Sequence, residues 1–228
     1  MPMELSPVVK KLSLHKTQTG GITVHSGTLG DRPVVAIVTG MGTKLAGEAT
    51  ERLLDAVPVE RVVVVGITGA VENETPIGTL ILPEVVVNSA TGAEYRPEPL
   101  AEGTPSGKMW TGDELLVDPD VLAELRSKGV VSLDMETAAI AQSCEQRGIP
   151  WSVFRVISDR ASDGSVDEEV FRLANPDGTP NGRAVARYFL KHPGRIPQMV
   201  RLARGAKLAT KTAADAAIRA VSRTSRQS

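Results

Sequence analysis

LDMETAAIAQSCEQRGIPWSVFRVISD, residues 133–159, is the stretch that decides the fold class. It reads as a strand end, a helix, a tight turn and a second strand. Val130, Val131, Ser132 and Leu133 are β-prone and stop at Asp134. Met135, Ala138, Ala139, Ile140 and Cys144 then recur on one face of a helical repeat. Gly148 suits the helix C-terminus, and Pro150 forbids its continuation. Trp151, Val153, Phe154, Val156 and Ile157 form a nearly continuous apolar run, the pattern of a strand covered on both faces. A strand–helix–strand unit is expected to be parallel with a right-handed crossover. Both strands would then end on one sheet edge, bringing Asp134 or Glu136 near Ser158 and Asp159 in the crevice where open α/β sheets bind ligands. Two carboxylates facing one crevice fit acid/base work or the binding of hydroxyls. Acidic residues at a helix start also serve the helix dipole alone, so both readings stand at this point.

The flanking sequence alternates in the same way. Ile22–Ser26 and Val34–Thr39 read as strands joined by a turn at Gly30-Asp31-Arg32-Pro33. A helix is expected from about Lys44 to Ala56, ended by Pro58. Arg61–Ile67 is the strongest β run and the expected central strand. Leu80–Asn88 reads as a strand that Pro83 pushes to an edge or a bulge. Thr91–Lys108 lacks periodicity and reads as a long loop at the site mouth. Asp118-Pro119 has the form of an N-cap followed by the first helical residue. The expected fold class is therefore α/β: one three-layer domain with a mixed, largely parallel central sheet flanked by helices.

The chain has 228 residues, enough for one domain with a sizeable core. Its net charge of −1 carries no overall signal for nucleic acid or for an anionic membrane. The single cysteine, Cys144, falls on the apolar helix face, which suits a structural role in a reducing compartment such as the cytoplasm. No stretch is apolar enough to insert stably in a membrane. His15, His25 and His192 lack metal-ligand spacing. Gly40-Met41-Gly42 lacks the remaining residues of a dinucleotide fingerprint or P-loop. Neither a metal nor a cofactor is expected.

Taken together, the motifs resemble the nucleoside phosphorylase and nucleosidase superfamily, and within it most closely the 5'-methylthioadenosine/S-adenosylhomocysteine nucleosidases. Met135-Glu136 resembles the family's Met-Glu pair, and Ile157-Ser158-Asp159 its strand end. Thr39-Gly40-Met41-Gly42 resembles its glycine turn, Gly66-Ile67-Thr68-Gly69-Ala70 with Ile77-Gly78 its glycine-rich strand end, and Thr111-Gly112-Asp113 its Ser-Gly-Asp element. The likeness spans roughly residues 1–190, expected as a nucleoside phosphorylase-like catalytic domain, with 191–228 as a basic helical extension.

The resemblance implies cleavage of the N-glycosidic bond between a purine and ribose, through a transition state with cationic character on the sugar. It implies Asp159 as the acid that protonates the departing base. Ser158 would orient that acid, Glu136 would bind the ribose hydroxyls and Met135 would pack beneath the sugar. Met1-Pro2-Met3-Glu4 fits the family's Met-x-x-Glu pattern, making Glu4 the candidate base that activates water. It further implies a small nucleoside substrate, a role in nucleoside catabolism such as methionine salvage, and a homodimer.

Two departures bear on these expectations. No residues stand before Met1-Pro2-Met3-Glu4 for the family's first strand. Where the family stacks an aromatic ring on the purine, this chain has Glu114-Leu115-Leu116, so that Leu115 and Leu116 become an apolar clamp or simple core. Two rival readings follow: a phosphate-dependent purine nucleoside phosphorylase, or a nucleoside-binding protein without catalysis. After Ala186 the chain is markedly basic, with Asp215 its only acid. Two helices, about Ile196–Leu208 and Ala213–Val221, are expected there, to pack on the acidic body, join a dimer or rest on an anionic surface.

Overall fold

The computed structural model describes residues 1–100, 103–161 and 166–224. In chain order its elements are α1 (Pro2–Leu12), β1 (His15–Thr19), β2 (Ile22–Leu29), β3 (Arg32–Ala36), α2 (Thr43–Ala56), β4 (Val62–Ala70), β5 (Leu80–Ile81), β6 (Val85–Asn88), β7 (Glu94–Tyr95), β8 (Lys108–Thr111), α3 (Pro119–Ser127), β9 (Val130–Asp134), α4 (Thr137–Gln146), β10 (Trp151–Arg160), α5 (Glu168–Phe171), α6 (Gly182–Lys191) and α7 (Ile196–Thr224). A short 3-10 turn, Pro193–Arg195, joins the last two helices.

Among the described residues the strands form two sheets, β1-β2-β3 and β5-β10-β4-β9-β8-β6-β7. The longest ladder of the larger sheet is the parallel pairing of β10 with β4 from Trp151/Val62 to Arg160/Ala70. The next longest, β6 with β8 and β8 with β9, are also parallel. The sheet is mixed, as expected, because β5, β9 and β7 enter antiparallel to β10, β4 and β6. On one side, α2 packs on α4, which in turn lies against β6 and β4; on the other, α7 packs along β10 and β4. Trp151, Met109 and Ile157 centre the first of these layers. Phe154 centres the second with Ala216, Ala217 and Ala220. The small alanines let α7 approach the β-branched residues of the sheet closely, at the packing density expected of a core.

Several expectations are corrected. The strand–helix–strand unit built on β9, α4 and β10 is not a simple parallel crossover. β9 meets β4 antiparallel, and only at Gly69 and Ala70, whereas β10 runs parallel to β4 along its whole length. β4 stands between the two, and the carboxylate-bearing ends meet at its Gly69 end. α4 begins at Thr137 rather than Met135, because the Asp134 side chain accepts the Thr137 N–H at 2.9 Å and its hydroxyl at 2.5 Å. Asp134 thus supplies the capping oxygen. Pro83 divides the Leu80–Asn88 run into β5 and β6, which pair with different neighbours. The Thr91–Lys108 segment contains the short strand β7, and residues 101–102 lie outside the described residues. The basic tail forms one continuous helix, α7, because Ala209, Ala213 and Ala214 combine high helix propensity with burial. α7 continues to Thr224, past the expected end at Val221, and residues 225–228 lie outside the described residues.

Cys144 is fully buried on α4, where burial pushes its thiol up to about 12, as suits a structural role. Among the described residues no helix is long and apolar enough to cross a membrane. Nor do they hold a cluster of three or more potential metal-binding side chains.

Candidate active site

Arg155, on β10, is the hub of a buried ionic cluster. Its Nη2 lies 2.7 Å from Asp134 Oδ2 and 3.1 Å from Glu136 Oε2, and its Nη1 lies 3.5 Å from Glu4 Oε1. The remaining donors are also used: Nη1 donates to the Ile67 carbonyl at 3.1 Å and Nε to the Thr137 hydroxyl at 3.3 Å. A planar guanidinium can serve several acceptors in this way, whereas an ammonium would act as a single point charge. Burying the cation would be prohibitive without such partners.

Each carboxylate is held from a different element. Glu4 comes from the first turn of α1, is only 8% exposed, and accepts the Ile67 N–H of β4 at 2.9 Å. Its other oxygen pairs with the Met1 amine. Gly66 permits this convergence, since a Cβ there would stand 2.4 Å from both Arg155 Nη1 and Glu4 Oε1. Asp134, besides capping α4, accepts the Thr111 hydroxyl at 2.5 Å and so ties β9 to β8. Glu136 receives the Gly42 N–H at 3.2 Å on the oxygen that Arg155 leaves free. Burial, opposed by Arg155 and reinforced by Asp134 and Glu4, raises its carboxyl to about 7. Glu136 therefore changes charge near neutral pH despite its arginine partner.

Asp159 occupies the neighbouring end of β10. The ladder with β4 is irregular there, Ile157 opposing Thr68 while Asp159 opposes Gly69, so Ser158 is an extra residue. A bulge of this kind re-aims the following side chain. The Ser158 hydroxyl donates to Asp159 Oδ1 at 2.5 Å. The strand end is fixed from two further sides. The Ile157 carbonyl accepts the Gly78 N–H at 2.8 Å, and α7 crosses the Ser158 carbonyl at Gly205. A Cβ on Gly205 would come within 2.7 Å of that oxygen, so close passage of the helix requires glycine. Asp159 also borders Gly69, whose own Cβ position lies 3.5 Å from Asp159 Oδ2 and 3.9 Å from the Leu133 carbonyl. This junction is where β9 delivers Asp134 and Glu136.

Of the remaining candidates, Met135 adjoins the ionic cluster in sequence, whereas Leu116 lines a cavity whose walls include none of Glu4, Asp134, Glu136 and Asp159. Met135 is half-buried between Asp134 and Glu136. Asp113 accepts the Thr43 N–H at 2.7 Å and the Thr43 hydroxyl at 2.6 Å, capping α2 from a distant loop. That cap fixes the Gly40–Gly42 turn whose amide holds Glu136. Leu115 is half-buried. Leu116 packs against Val71, Leu122, Leu125 and Val130, and also lines an open cavity of about 520 Å³ beside Trp110, Gly112 and Asp113. Leu116 is thus core and cavity wall together. His15 and His25 lie on β1 and β2, and His192 Nε2 stands 3.6 Å from Glu169.

Arg155 escaped the sequence reading. It stands in an apolar strand two residues before Ile157-Ser158-Asp159, and a cation amid such a run signals a paired buried charge. The capping role of Asp134 was equally hidden, because its β-prone neighbours mark it only as a strand end.

The model of the phosphorylase superfamily matches residues 1–103 and 99–191. A 5'-methylthioadenosine/S-adenosylhomocysteine nucleosidase of Bacillus cereus is 27% identical over 192 residues, covering 71% of this chain and 83% of that protein. Among solved structures, the Helicobacter pylori 5'-methylthioadenosine/S-adenosylhomocysteine nucleosidase in complex with a pyrrolidine ligand superposes with a TM-score of 0.74. It is 16% identical, and the match covers 98% of this chain and 95% of that one. The futalosine hydrolase of the same organism has a TM-score of 0.73 at 16% identity, covering 99% and 94%.

Proposed function

The chain belongs to the phosphorylase superfamily, and from that premise we propose that it hydrolyses the N-glycosidic bond of a purine nucleoside of the methylthioadenosine/S-adenosylhomocysteine type. The observation that carries this reading is the ring in which one guanidinium, that of Arg155, is shared by Glu4, Asp134 and Glu136. Once Glu136 ionises, the three carboxylates outnumber the two cations paired with them, Arg155 and the Met1 amine, and leave the centre anionic. Such a field favours a sugar that becomes cationic in the transition state. It disfavours the approach of a phosphate dianion, so water is the better nucleophile and hydrolysis is favoured over phosphorolysis.

The residues divide the reaction as follows. Asp159, held by Ser158, donates its proton to the base as the glycosidic electron pair leaves with it. Glu136 binds the ribose hydroxyls, while Met135 packs against the sugar. Glu4 accepts a proton from the attacking water, whose oxygen forms the new bond to the anomeric carbon. Arg155 fixes the spacing of Glu4 and Glu136. Leu115 and Leu116 give the base an apolar edge in place of a stacking ring.

Base release from methylthioadenosine, S-adenosylhomocysteine, adenosine, inosine and guanosine, with and without phosphate, tests the proposal. Free base and free sugar in phosphate-free buffer are expected. A sugar 1-phosphate formed only with phosphate would replace this reading by the phosphorylase, and binding without turnover by an inactive nucleoside-binding protein. The proposal extends to a homodimer working in methionine salvage in the cytoplasm, the first part of which light scattering checks.

A further inference from the structure

We propose that the exposed face of α6 and of the first half of α7 is a docking surface for an anionic lipid bilayer. Four large apolar side chains are presented to solvent there: Leu190 is 85% exposed, Ile196 45%, Val200 42% and Leu208 51%. The same segment, residues 182–214, contains eight basic residues and no acidic one: Arg183, Arg187, Lys191, Arg195, Arg201, Arg204, Lys207 and Lys211. Arg195 pairs with Asp167 and Lys211 with Asp215. Among the described residues the other six have no carboxylate partner, and all six are exposed.

On each helix the two kinds of residue share one face. At about 100° per residue, Ile196, Val200, Arg204, Lys207, Leu208 and Lys211 fall within a single arc of about 120° on α7. On α6 the same spacing puts Arg183 and Arg187 beside Leu190. The opposite faces are already used. Met199 and Leu202 pack with Val170, Leu173 and Tyr188, while Ala209 and Ala213 lie on the sheet. The outward face is therefore the one left over after packing.

Its pattern matches a bilayer better than a protein partner. Protein interfaces gather apolar residues in a core from which charged residues are depleted. Here apolar and cationic side chains alternate, so no contiguous apolar core exists. Two copies meeting on this face would also oppose like charges. A bilayer accepts this mixture, since isolated apolar tips enter the headgroup boundary while lysine and arginine extend to anionic headgroups.

The test is sedimentation of the full chain with vesicles of phosphatidylcholine alone and of phosphatidylcholine with about one-third phosphatidylglycerol. The expected result is co-sedimentation with the mixed vesicles alone, released at molar salt as screening predicts. Arg204→Gln/Lys207→Gln and Leu190→Ser/Val200→Ser should each lower the bound fraction about tenfold while circular dichroism stays unchanged. Equal binding to both vesicle types, or none to either, would overturn the proposal. So would variants that bind like the parent chain. Absence of vesicle binding together with self-association lost in the same variants would reassign the face to a contact between copies.

Discussion

The Arg155 guanidinium and the Glu136 carboxylate stand 3.1 Å apart, yet the carboxyl titrates near 7 rather than in the usual acid range. Burial outweighs the ion pair because Asp134 and Glu4 draw on the same cation. The folded-state pKa is raised, so the corresponding stabilisation is complete below the unfolded value near 4.5 and is lost as pH rises through about 7. Relative to Glu136→Gln, the parent chain should lose up to about 3 kcal/mol between those limits, read from urea denaturation across pH. A constant difference between the two proteins would refute the assignment. Provided ribose binding needs the ionised form, log kcat/KM should also rise to a plateau above about 7, and this limb should vanish in Glu136→Gln.

Asp159→Asn keeps the size of the side chain and an acceptor for the Ser158 hydroxyl but removes the transferable proton. Base release should fall by roughly a hundredfold or more with little change in melting temperature. Ser158→Ala should cost less, since it removes one hydrogen bond to the acid. Normal turnover by Asp159→Asn would end the assignment.

Removing Arg155 should expose the cost of three buried carboxylates without their cation. Arg155→Met is expected to destabilise the fold by about 3–5 kcal/mol, the range for a broken buried ion pair. Adding Asp134→Asn should recover part of that loss, and an additive double variant would argue against the shared cluster.

Gly205→Ala separates helix propensity from packing. In a solvent-facing helix the change stabilises by about 1 kcal/mol. Here the new methyl would meet the Ser158 carbonyl at 2.7 Å, so melting temperature should drop instead. The displaced strand end carries Asp159, and kcat should fall more than KM rises. Unchanged kinetics would mean that α7 merely covers the sheet.

Much of the fold could be read from periodicity. The apolar run of β10, the cap at Asp118 and the breaks at Gly148 and Pro150 are local features, and they fall where the sequence predicts. The orientation of β9 is not local. It depends on the short antiparallel meeting at Gly69, which no spacing within residues 133–159 encodes. In the site, Asp159 and Glu136 stood out because acidic residues follow apolar runs. Arg155 did not, because its meaning depends on partners 19, 21 and 151 residues away.

The pairing of Glu4 with Arg155 spans 151 residues of chain. Closing so large a loop carries an entropic penalty that local helices and hairpins do not face, so contacts of this kind form late. On the ribosome, the carboxylate assigned to water activation must wait for its counter-ion until about two-thirds of these 228 residues have emerged. Catalytic competence would then lag behind secondary structure during refolding, and recovery of turnover would time the arrival of the amino-terminal helix.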